Sequence, residues 1–469
     1  MTVSRKRIAA AALALPLGAV AFAADEGHQP ALLAEAEFPA TRTRGAAPAQ
    51  NFLVVGLSGE YSDNAARVET NEASDTILSA RTAFGWSLLD LRRTTASLSG
   101  DLNYEEFTEG TQQSELIAHA TADASFSLVE NHLTWVFADE LTQGRVDETQ
   151  ALTATNRQNV NLAMTGLNFA TKLGDHNILR VDGRYELSDY EVSSDGDSEA
   201  LVGRVAFVRE IGRRQALRLG VTARDVRYRG ETVFPDYQGV DYSLAWAAGG
   251  AYTDITLEGG YTTVNLESGD VEEPLFRLQI SRSLTPRATL DLVATHELTD
   301  TSDAIHFDQT LGGRGPRTSE VSVNPDPFVF EYAGLRLRYE GPRYALEIGG
   351  STSQDRYTSS IQDDRDRTEA SFQLDLVRGP RWTLGAFMQY EDETYIRRPD
   401  TDSQYKDAGV FASVAVGART RVQMSIGRSE RNTTFANGSY EENFARLALV
   451  HSLTGGNADS LLSSGGSRR

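Results

Sequence analysis

The chain has 469 residues, no cysteine and a formal net charge of −21 at pH 7. The absence of cysteine excludes disulfides, thiol catalysis and a lipid-anchored cysteine. The acidic charge argues against nucleic acid as a partner, because phosphates call for a basic surface.

The first 24 residues have the pattern of a secretory signal peptide. A basic cluster at residues 5–7 precedes an apolar run from Ile8 to Val20, and Ala21-Phe22-Ala23-Ala24 follows. A basic start, an apolar middle and small residues at the end are the three parts of such a signal. The proline-containing residues 25–49 then predict an unstructured periplasmic leader, and the mature chain is predicted to be exported.

From Asn51 to Leu453, apolar and polar side chains alternate with the two-residue period of an extended strand. In residues 368–391 two alternating arms are separated by Gly379-Pro380-Arg381, which predicts a hairpin. Each arm matches the roughly 9 to 11 residues that a tilted strand needs to cross a bilayer. A mean hydropathy of −0.37 does not oppose this, because a barrel strand faces lipid with only every second side chain.

Short turns and long polar segments alternate along the chain. The turns are predicted at 90–93, 130–132, 174–176, 212–214, 249–250, 285–287, 341–343, 379–381 and 417–419, mostly about 38 residues apart, the length of one hairpin repeat. The long acidic segments between them are predicted at 63–75, 107–115, 145–156, 189–198, 230–238, 267–273, 354–367, 397–404 and 430–439. Short periplasmic turns and long extracellular loops are typical of outer-membrane barrels.

The predicted fold class is therefore all-β: a transmembrane antiparallel up-and-down β-barrel over residues 50–453, with about 20 strands and a range of 18 to 22. Residues 300–326, rich in glycine, proline and charge, predict one enlarged loop that either covers the surface or folds inward as a plug. Residues 454–469 predict a flexible Gly/Ser-rich tail.

The positions of the four tryptophans predict which side chains face the lipid near the periplasmic interface. Each lies close to a proposed short turn and shares its parity with apolar neighbours, which favours a lipid-interface girdle at the periplasmic side. The four residues are Trp86, Trp135, Trp246 and Trp382.

The opposite parity predicts the lining of the lumen, which carries both signs of charge. Such charges serve either as cross-strand ladders with a structural role or as a polar path for a charged or hydroxyl-rich solute. The lumen-lining candidates are Arg180, Asp182, Arg184, Glu186, Arg218, Arg224, Glu258, Asp291, Arg336, Arg338, Glu347 and Asp375.

Enzymatic chemistry has only weak signals in this sequence. His119 shares the lumen-facing parity with Asp123 and Ser125, which is the nearest approach to an acyl-hydrolase constellation. His306 and the aspartates around it in the 300–326 loop offer a second acid/histidine cluster. Polar wall and loop residues explain both patterns more simply, so we predict no catalytic, cofactor-binding or metal site.

Short motifs carry a family resemblance. The chain opens with Gly59-Glu60-Tyr61-Ser62-Asp63-Asn64 and then Ser74-Asp75-Thr76-Ile77-Leu78. A central part runs from Ala120-Thr121-Ala122-Asp123 through Trp135 and Gln143 to Asn161 and Tyr185. Both resemble the β-barrel porin family linked to exopolysaccharide and exosortase (PEP-CTERM) systems. The resemblance implies secretion or passage of a polysaccharide through the outer membrane.

The predicted function is thus an outer-membrane porin of a Gram-negative bacterium that assists the secretion of an exopolysaccharide. A general small-solute diffusion porin is the main alternative, and an outer-membrane hydrolase or a surface adhesion barrel are further ones. The predicted partners are outer-membrane lipid, polysaccharide and periplasmic export components, with no nucleic acid and no cofactor. The sequence leaves the oligomeric state open.

Overall fold

The fold is a closed barrel in a computed structural model. The structure describes residues 51–90, 93–147, 150–151, 153–229, 234, 236–266, 269–300, 326–359, 363–378, 381–435 and 438–454. The predicted signal peptide and leader lie outside these ranges, as do residues 455–469 of the predicted C-terminal tail and residues 301–325 of the enlarged loop. Thr454, the first residue of the predicted tail, is the last residue of a strand.

Twenty strands follow one another around the wall. They are β1 (Phe52–Ser62), β2 (Asp75–Asp90), β3 (Thr94–Phe107), β4 (Glu115–Val129), β5 (Leu133–Arg145), β6 (Arg157–Lys172), β7 (Asn177–Tyr190), β8 (Ser198–Gly212), β9 (Gln215–Tyr228), β10 (Tyr237–Gly249), β11 (Thr253–Leu266), β12 (Gly269–Thr285), β13 (Ala288–Thr299), β14 (Phe328–Glu340), β15 (Tyr344–Tyr357), β16 (Arg365–Arg378), β17 (Trp382–Tyr395), β18 (Ser403–Ala415), β19 (Thr420–Thr433) and β20 (Tyr440–Thr454). Short 3₁₀ turns lie at Ala154–Asn156, Ser194–Gly196 and Pro399–Thr401.

Every strand pairs antiparallel with its sequence neighbours, and the ring closes where β1 pairs with both β2 and β20. The predicted fold class and the strand count of about 20 are confirmed. Each of the nine predicted turns separates two consecutive strands. The turn at 379–381 separates β16 from β17, as the hairpin pattern of 368–391 predicts. The nine turns define the turn end of the barrel, and the longer connections define its loop end.

The alternation of side chains sets the two faces of the wall. In β1, Val54 and Glu60 are buried whereas Leu57 and Tyr61 are 64% and 54% exposed. Strands of 11 to 17 residues, at about 3.3 Å per residue and a tilt near 40°, span about 28 to 43 Å along the barrel axis, which is enough to cross the roughly 30 Å of a hydrocarbon core. The outer face therefore has the height and polarity of a membrane-spanning barrel.

Two predicted long segments are wrong in extent. Most of 267–273 is strand, because β12 begins at Gly269 and pairs back to Leu266. Similarly, β15 continues to Tyr357 and β16 begins at Arg365, so only the middle of 354–367 is a loop. Both segments are acidic and polar, and charge alone does not distinguish a loop from the end of a strand that rises beyond the apolar band. Among the described residues, no helix is long and apolar enough to span a bilayer.

Candidate functional site

The inner face of the barrel carries every charged residue that the sequence assigns to it. On β7, Asp182 and Arg184 are 7% exposed, while Val181 and Tyr185 between them are 39% and 37% exposed on the outer face. Pairing in register places the remaining candidates on the inner face as well. Their function in solute passage stays a prediction.

Ion pairs join these inner residues across neighbouring strands. Glu258 on β11 accepts from Arg218 of β9 at 2.8 Å and from Arg277 of β12 at 3.3 Å, and Arg277 also binds Glu297 of β13. Further cross-strand pairs are Arg224–Asp241 at 2.9 Å, Arg336–Glu347 at 3.5 Å, Arg338–Glu347 at 3.1 Å and the hydrogen bond from Ser281 to Asp291 at 2.7 Å. The middle of the lumen is thus lined by a ladder of opposite charges.

A second network lies at the loop end of β15 to β17. Arg365 donates to Asp355 at 2.7 Å and to Glu393 at 3.0 Å, and Arg367 donates to Glu393 at 3.2 Å and lies 3.9 Å from Glu391. All five side chains are at most 10% exposed. Buried charges of this kind are stable only when they are paired, and each of these side chains lies beside a group of opposite charge.

The end of the β5–β6 hairpin leaves the wall and enters the lumen. The pairing of β5 with β4 stops at Leu141, whereas its pairing with β6 continues to Arg145. Beyond Leu141 the alternation of burial is lost, because Thr142 and Gln143 are 2% and 7% exposed and Gly144 is also buried. A strand that is buried on both faces has left the lipid-facing surface.

Arg145 at this hairpin end faces the opposite wall. It interacts electrostatically with Glu391 and Glu393 on β17 and with Arg431 on β19. Strands β5 and β17 are eight positions apart through the β1–β20 seam. A round barrel of 20 strands is about 40 Å across, which is too wide for a charge on β5 to interact with charges on β17. The lumen is therefore narrowed at its loop end.

The β13–β14 hairpin end leans inward in the same way. β13 pairs with β12 only up to His296 but with β14 up to Thr299. Leu298, Thr299 and Asp300 are all buried, at 4%, 7% and 6% exposure, and the hydroxyl of Tyr237 on β10 donates to Asp300. This contact crosses β11 and β12. The ends of the β5–β6 and β13–β14 hairpins thus narrow the opening of the lumen at the loop end, which we call the mouth, from different sides.

Aromatic side chains line this mouth. Phe328 packs at 5.1 Å from Tyr357 between ring centroids and edge-on to Phe330 at 6.2 Å, and Phe330 stacks on Tyr332 at 6.1 Å. All four rings are less than 10% exposed and pack with Val293. The sequence alternation alone did not single them out, because apolar side chains on this face contradict a simple polar lumen.

A repeated tyrosine–aspartate pair builds the loop end. A tyrosine ends the strand, and its backbone N–H donates to the carboxylate of an aspartate seven or eight residues later. The pairs are Tyr190–Asp197 at 2.7 Å, Tyr228–Asp236 at 2.9 Å, Tyr357–Asp364 at 2.8 Å and Tyr395–Asp402 at 2.8 Å. Their spacing is a signal in the sequence by which these inward-facing tyrosines could have been found.

The motif of the first hairpin ties the two ends of the chain together. Ser62 donates to Glu442 at 2.7 Å, and the carboxylate of Asp63 accepts from the backbone and side-chain nitrogens of Asn443 at 2.7 and 2.8 Å. Asn64 donates to the carbonyl of Glu441 at 3.0 Å. The Ser-Asp-Asn sequence therefore locks the β1–β20 seam.

Asp75, the first residue of β2, anchors the connection between β3 and β4. Its carboxylate accepts from the Thr108 hydroxyl, from the Glu109 backbone and from both the hydroxyl and the backbone N–H of Thr111, at 2.7 to 3.2 Å. Asp75 lies above the apolar band of β2, which begins at Leu78. Burial raises the pKa of this carboxyl, but the four hydrogen bonds outweigh it and lower the pKa below its usual value.

The outer face carries the four tryptophans and the carboxylate of Asp139. Trp86, Trp135 and Trp382 are 46%, 45% and 52% exposed, and Trp246 shares the outer face of β10 with Leu257 of β11 opposite it. All four lie near the turn end. Asp139 also faces outward, since it alternates with Trp135 and pairs with Ala122 and Ala163. The side chain of Asn161 hydrogen-bonds to it.

The arrangement around His119 does not support acyl hydrolysis. His119 lies on the inner face opposite Asp101, which is bound by Arg81 at 2.8 Å. The Ser125 hydroxyl instead pairs with Thr95 at 2.6 Å. His306 lies outside the described residues. Within the described ranges, no three His, Asp or Glu side chains are placed to hold a metal ion.

The fold and the lumen define the class of a large closed antiparallel barrel. No protein-family model matches the chain, and no curated protein matches it either. The motif resemblance to exopolysaccharide-associated porins thus stays a prediction.

Several solved structures are similar to this chain at low sequence identity. The siderophore receptor PirA from Pseudomonas aeruginosa is 8% identical, over 87% of this chain and 81% of that chain, with a TM-score of 0.43. The FrpB iron transporter from Neisseria meningitidis is 8% identical over 87% and 82%, with a TM-score of 0.41. The ferric citrate transporter FecA is 12% identical over 87% and 79%, with a TM-score of 0.41. At these values the likeness extends to a large barrel and no further.

Proposed function

We propose that this chain is a barrel of a Gram-negative outer membrane that provides a narrow, charged path for a hydroxyl-rich solute, with an exopolysaccharide as the preferred one. The observation that carries the proposal is the closed ring of 20 strands with apolar side chains outside and paired charges inside. Every backbone group of such a cylinder is hydrogen-bonded within it, which is the condition for strands to span lipid.

The narrowed mouth favours a selective path over a wide aqueous hole. Barrels of 16 to 18 strands already leave a channel, so 20 strands require inward structure to restrict passage. Arg145 of the leaning β5–β6 hairpin and the aromatic side chains Phe328 and Tyr357 supply it. The inward-facing carboxylates and guanidinium groups offer several hydrogen bonds at once, which suits a hydroxyl-rich sugar better than a simple ion.

Conductance of the full-length protein in a planar bilayer tests the path. We expect a small, steady conductance for the unaltered protein and a severalfold larger one for Arg145→Ala, since this change frees the hairpin from the opposite wall. Arg428→Ala is the matched control, because Arg428 pairs with Glu441 at 2.6 Å and both side chains are about half exposed. A bilayer in which neither the unaltered protein nor Arg145→Ala conducts would refute the proposal.

The nature of the solute needs a separate measurement. Addition of acidic, neutral and amino-sugar oligosaccharides to the bilayer should block the current for a polysaccharide path and leave it unchanged for a general diffusion porin. If simple salts and sugars pass without mutual interference, the general porin becomes the better description.

A further inference from the structure

Three buried carboxylates and one guanidinium interact electrostatically at the loop end near the seam. Glu60 on β1, Asp407 on β18 and Glu442 on β20 are 4%, 1% and 1% exposed. Arg67, from the loop between β1 and β2 (residues 63–74), donates from Nε to Glu442 at 3.0 Å. Arg67 attracts the Asp407 carboxylate, whereas Glu60 and Glu442 repel it. This carboxylate cluster therefore places two further carboxyl groups close to the one that Arg67 binds directly.

One oxygen of the cluster lacks a donor. Oδ1 of Asp407 accepts from the Ser429 hydroxyl at 2.9 Å, but the buried Oδ2 accepts no hydrogen bond. A buried carboxylate oxygen without a donor is unfavourable. A cation with several N–H groups would satisfy it.

The guanidinium group of Arg67 shows which kind of ligand the carboxylate cluster can bind. Its guanidinium lies over the face of Tyr440, with 5.6 Å from Cζ to the ring centroid, which is the geometry of a cation–π contact. Burial lowers the pKa of Arg67, but Tyr440 and Glu442 together raise it well above the ordinary value, so the group is charged. A carboxylate beside an aromatic face is a general recognition mode for guanidinium and ammonium groups.

The backbone of Arg67 is strained in this position. Its φ is 55°, in the left-handed region that favours glycine over a long side chain. Such a conformation persists only where surrounding contacts hold it. Here the contacts are those of the inserted side chain and of Asn64, whose Oδ1 accepts from the Val68 backbone at 3.2 Å.

We propose that Glu60, Asp407, Glu442 and the ring of Tyr440 form a binding site for a guanidinium or ammonium group, and that Arg67 occupies this site as an internal ligand. The β1–β2 loop is then a lid that an external cation of the same chemistry displaces. The binding site does not depend on the proposed function. Only the effect of the lid on passage through the lumen does.

Chemical rescue of Arg67→Ala in detergent micelles tests the site. We expect this change to increase backbone hydrogen exchange of residues 63–74 at least tenfold. Methylguanidinium chloride should raise the unfolding temperature of this variant saturably, with half-saturation on the order of 1 mM for a ligand of this size. Asp407→Asn in the Arg67→Ala background should abolish this rise. Sodium chloride and urea at equal concentrations should not reproduce it.

A second measurement needs no altered protein. Millimolar methylguanidinium should accelerate hydrogen exchange of residues 63–74 in the unaltered chain by competing with Arg67, and sodium chloride should not. Arg428→Ala, at an exposed pair on the outer face, is the control that should show no rescue. Absence of saturable rescue together with unchanged exchange would overturn the proposal. Because neither readout uses conductance, a barrel that does not conduct would refute the pore and leave this site standing.

Discussion

Removal of one buried arginine measures how much the ion-pair network at the loop end contributes to the free energy of unfolding. Arg365 on β16 bridges Asp355 of β15 and Glu393 of β17, with side-chain exposures of 5%, 10% and 3%. In Arg365→Ala, Asp355 loses its ion-pair partner, whereas Glu393 keeps the hydrogen bond from Arg367 and the electrostatic interaction with Arg145. Breaking a buried pair by removing one partner costs about 3–5 kcal/mol, because an uncompensated charge stays buried.

The control is an exposed arginine that also pairs with a carboxylate on the neighbouring strand. Arg338 also bridges neighbouring strands on the inner face, at 3.1 Å from Glu347, with side-chain exposures of 45% and 36%. Solvent screens such a pair, so Arg338→Ala should lower the unfolding free energy by no more than about 1 kcal/mol. The comparison therefore isolates burial, since both pairs link adjacent strands of the same wall.

Urea unfolding in lipid vesicles, followed by tryptophan fluorescence, gives both free energies. A double-mutant cycle of Arg365→Ala with Asp355→Ala should show a coupling of about 2 kcal/mol or more. Equal losses for Arg365→Ala and Arg338→Ala, or a cycle with no coupling, would show that burial at the loop end does not strengthen these pairs.

Three further outcomes follow from other parts of the barrel. Asp139→Leu should raise the unfolding free energy in lipid by about 1–2 kcal/mol, because it removes a charge from the lipid face, and an equal or lower value in the same urea titration would place Asp139 elsewhere. The lowered pKa of Asp75 stabilises the fold above the unfolded-state value of about 3.9 and ceases to do so as pH falls through the folded-state value. The difference in unfolding midpoint between the unaltered protein and Asp75→Asn should therefore be constant near neutral pH and shrink below about pH 4, whereas a constant difference throughout would contradict the assignment. Trp382→Ala should weaken partitioning into vesicles or lower the unfolding free energy by about 1 kcal/mol or more if the ring contacts the interface, and unchanged fluorescence and stability would exclude a girdle there.

The wall of the barrel follows from local patterns in the sequence. Alternation is a property of each strand, and a break such as Gly379-Pro380-Arg381 is a property of one turn, so both are visible without knowledge of the rest of the chain. The number of strands follows from the number of short turns. The position of Arg218 and Glu258 on the inner face follows from the alternation of polar and apolar side chains.

The narrowed mouth does not follow from local patterns. Whether the end of a hairpin stays in the wall depends on lateral pairing with the preceding strand, and β5 loses that pairing beyond Leu141. The sequence indicates only weakly that β5 loses its pairing with β4. Thr142, Gln143 and Gly144 are small or polar on both parities, which fits a segment without a lipid face but is common in ordinary loops as well.

The seam between β1 and β20 has a consequence for biogenesis. Ser62 and Glu442 touch although 380 residues separate them along the chain, so the contact that completes the cylinder joins the earliest and the latest synthesised strands. Pairing at such sequence separation is entropically slow. Until the last strand arrives, β1 presents an unpaired edge that would recruit foreign strands, and a cell that makes this protein must shield that edge for as long as translocation lasts.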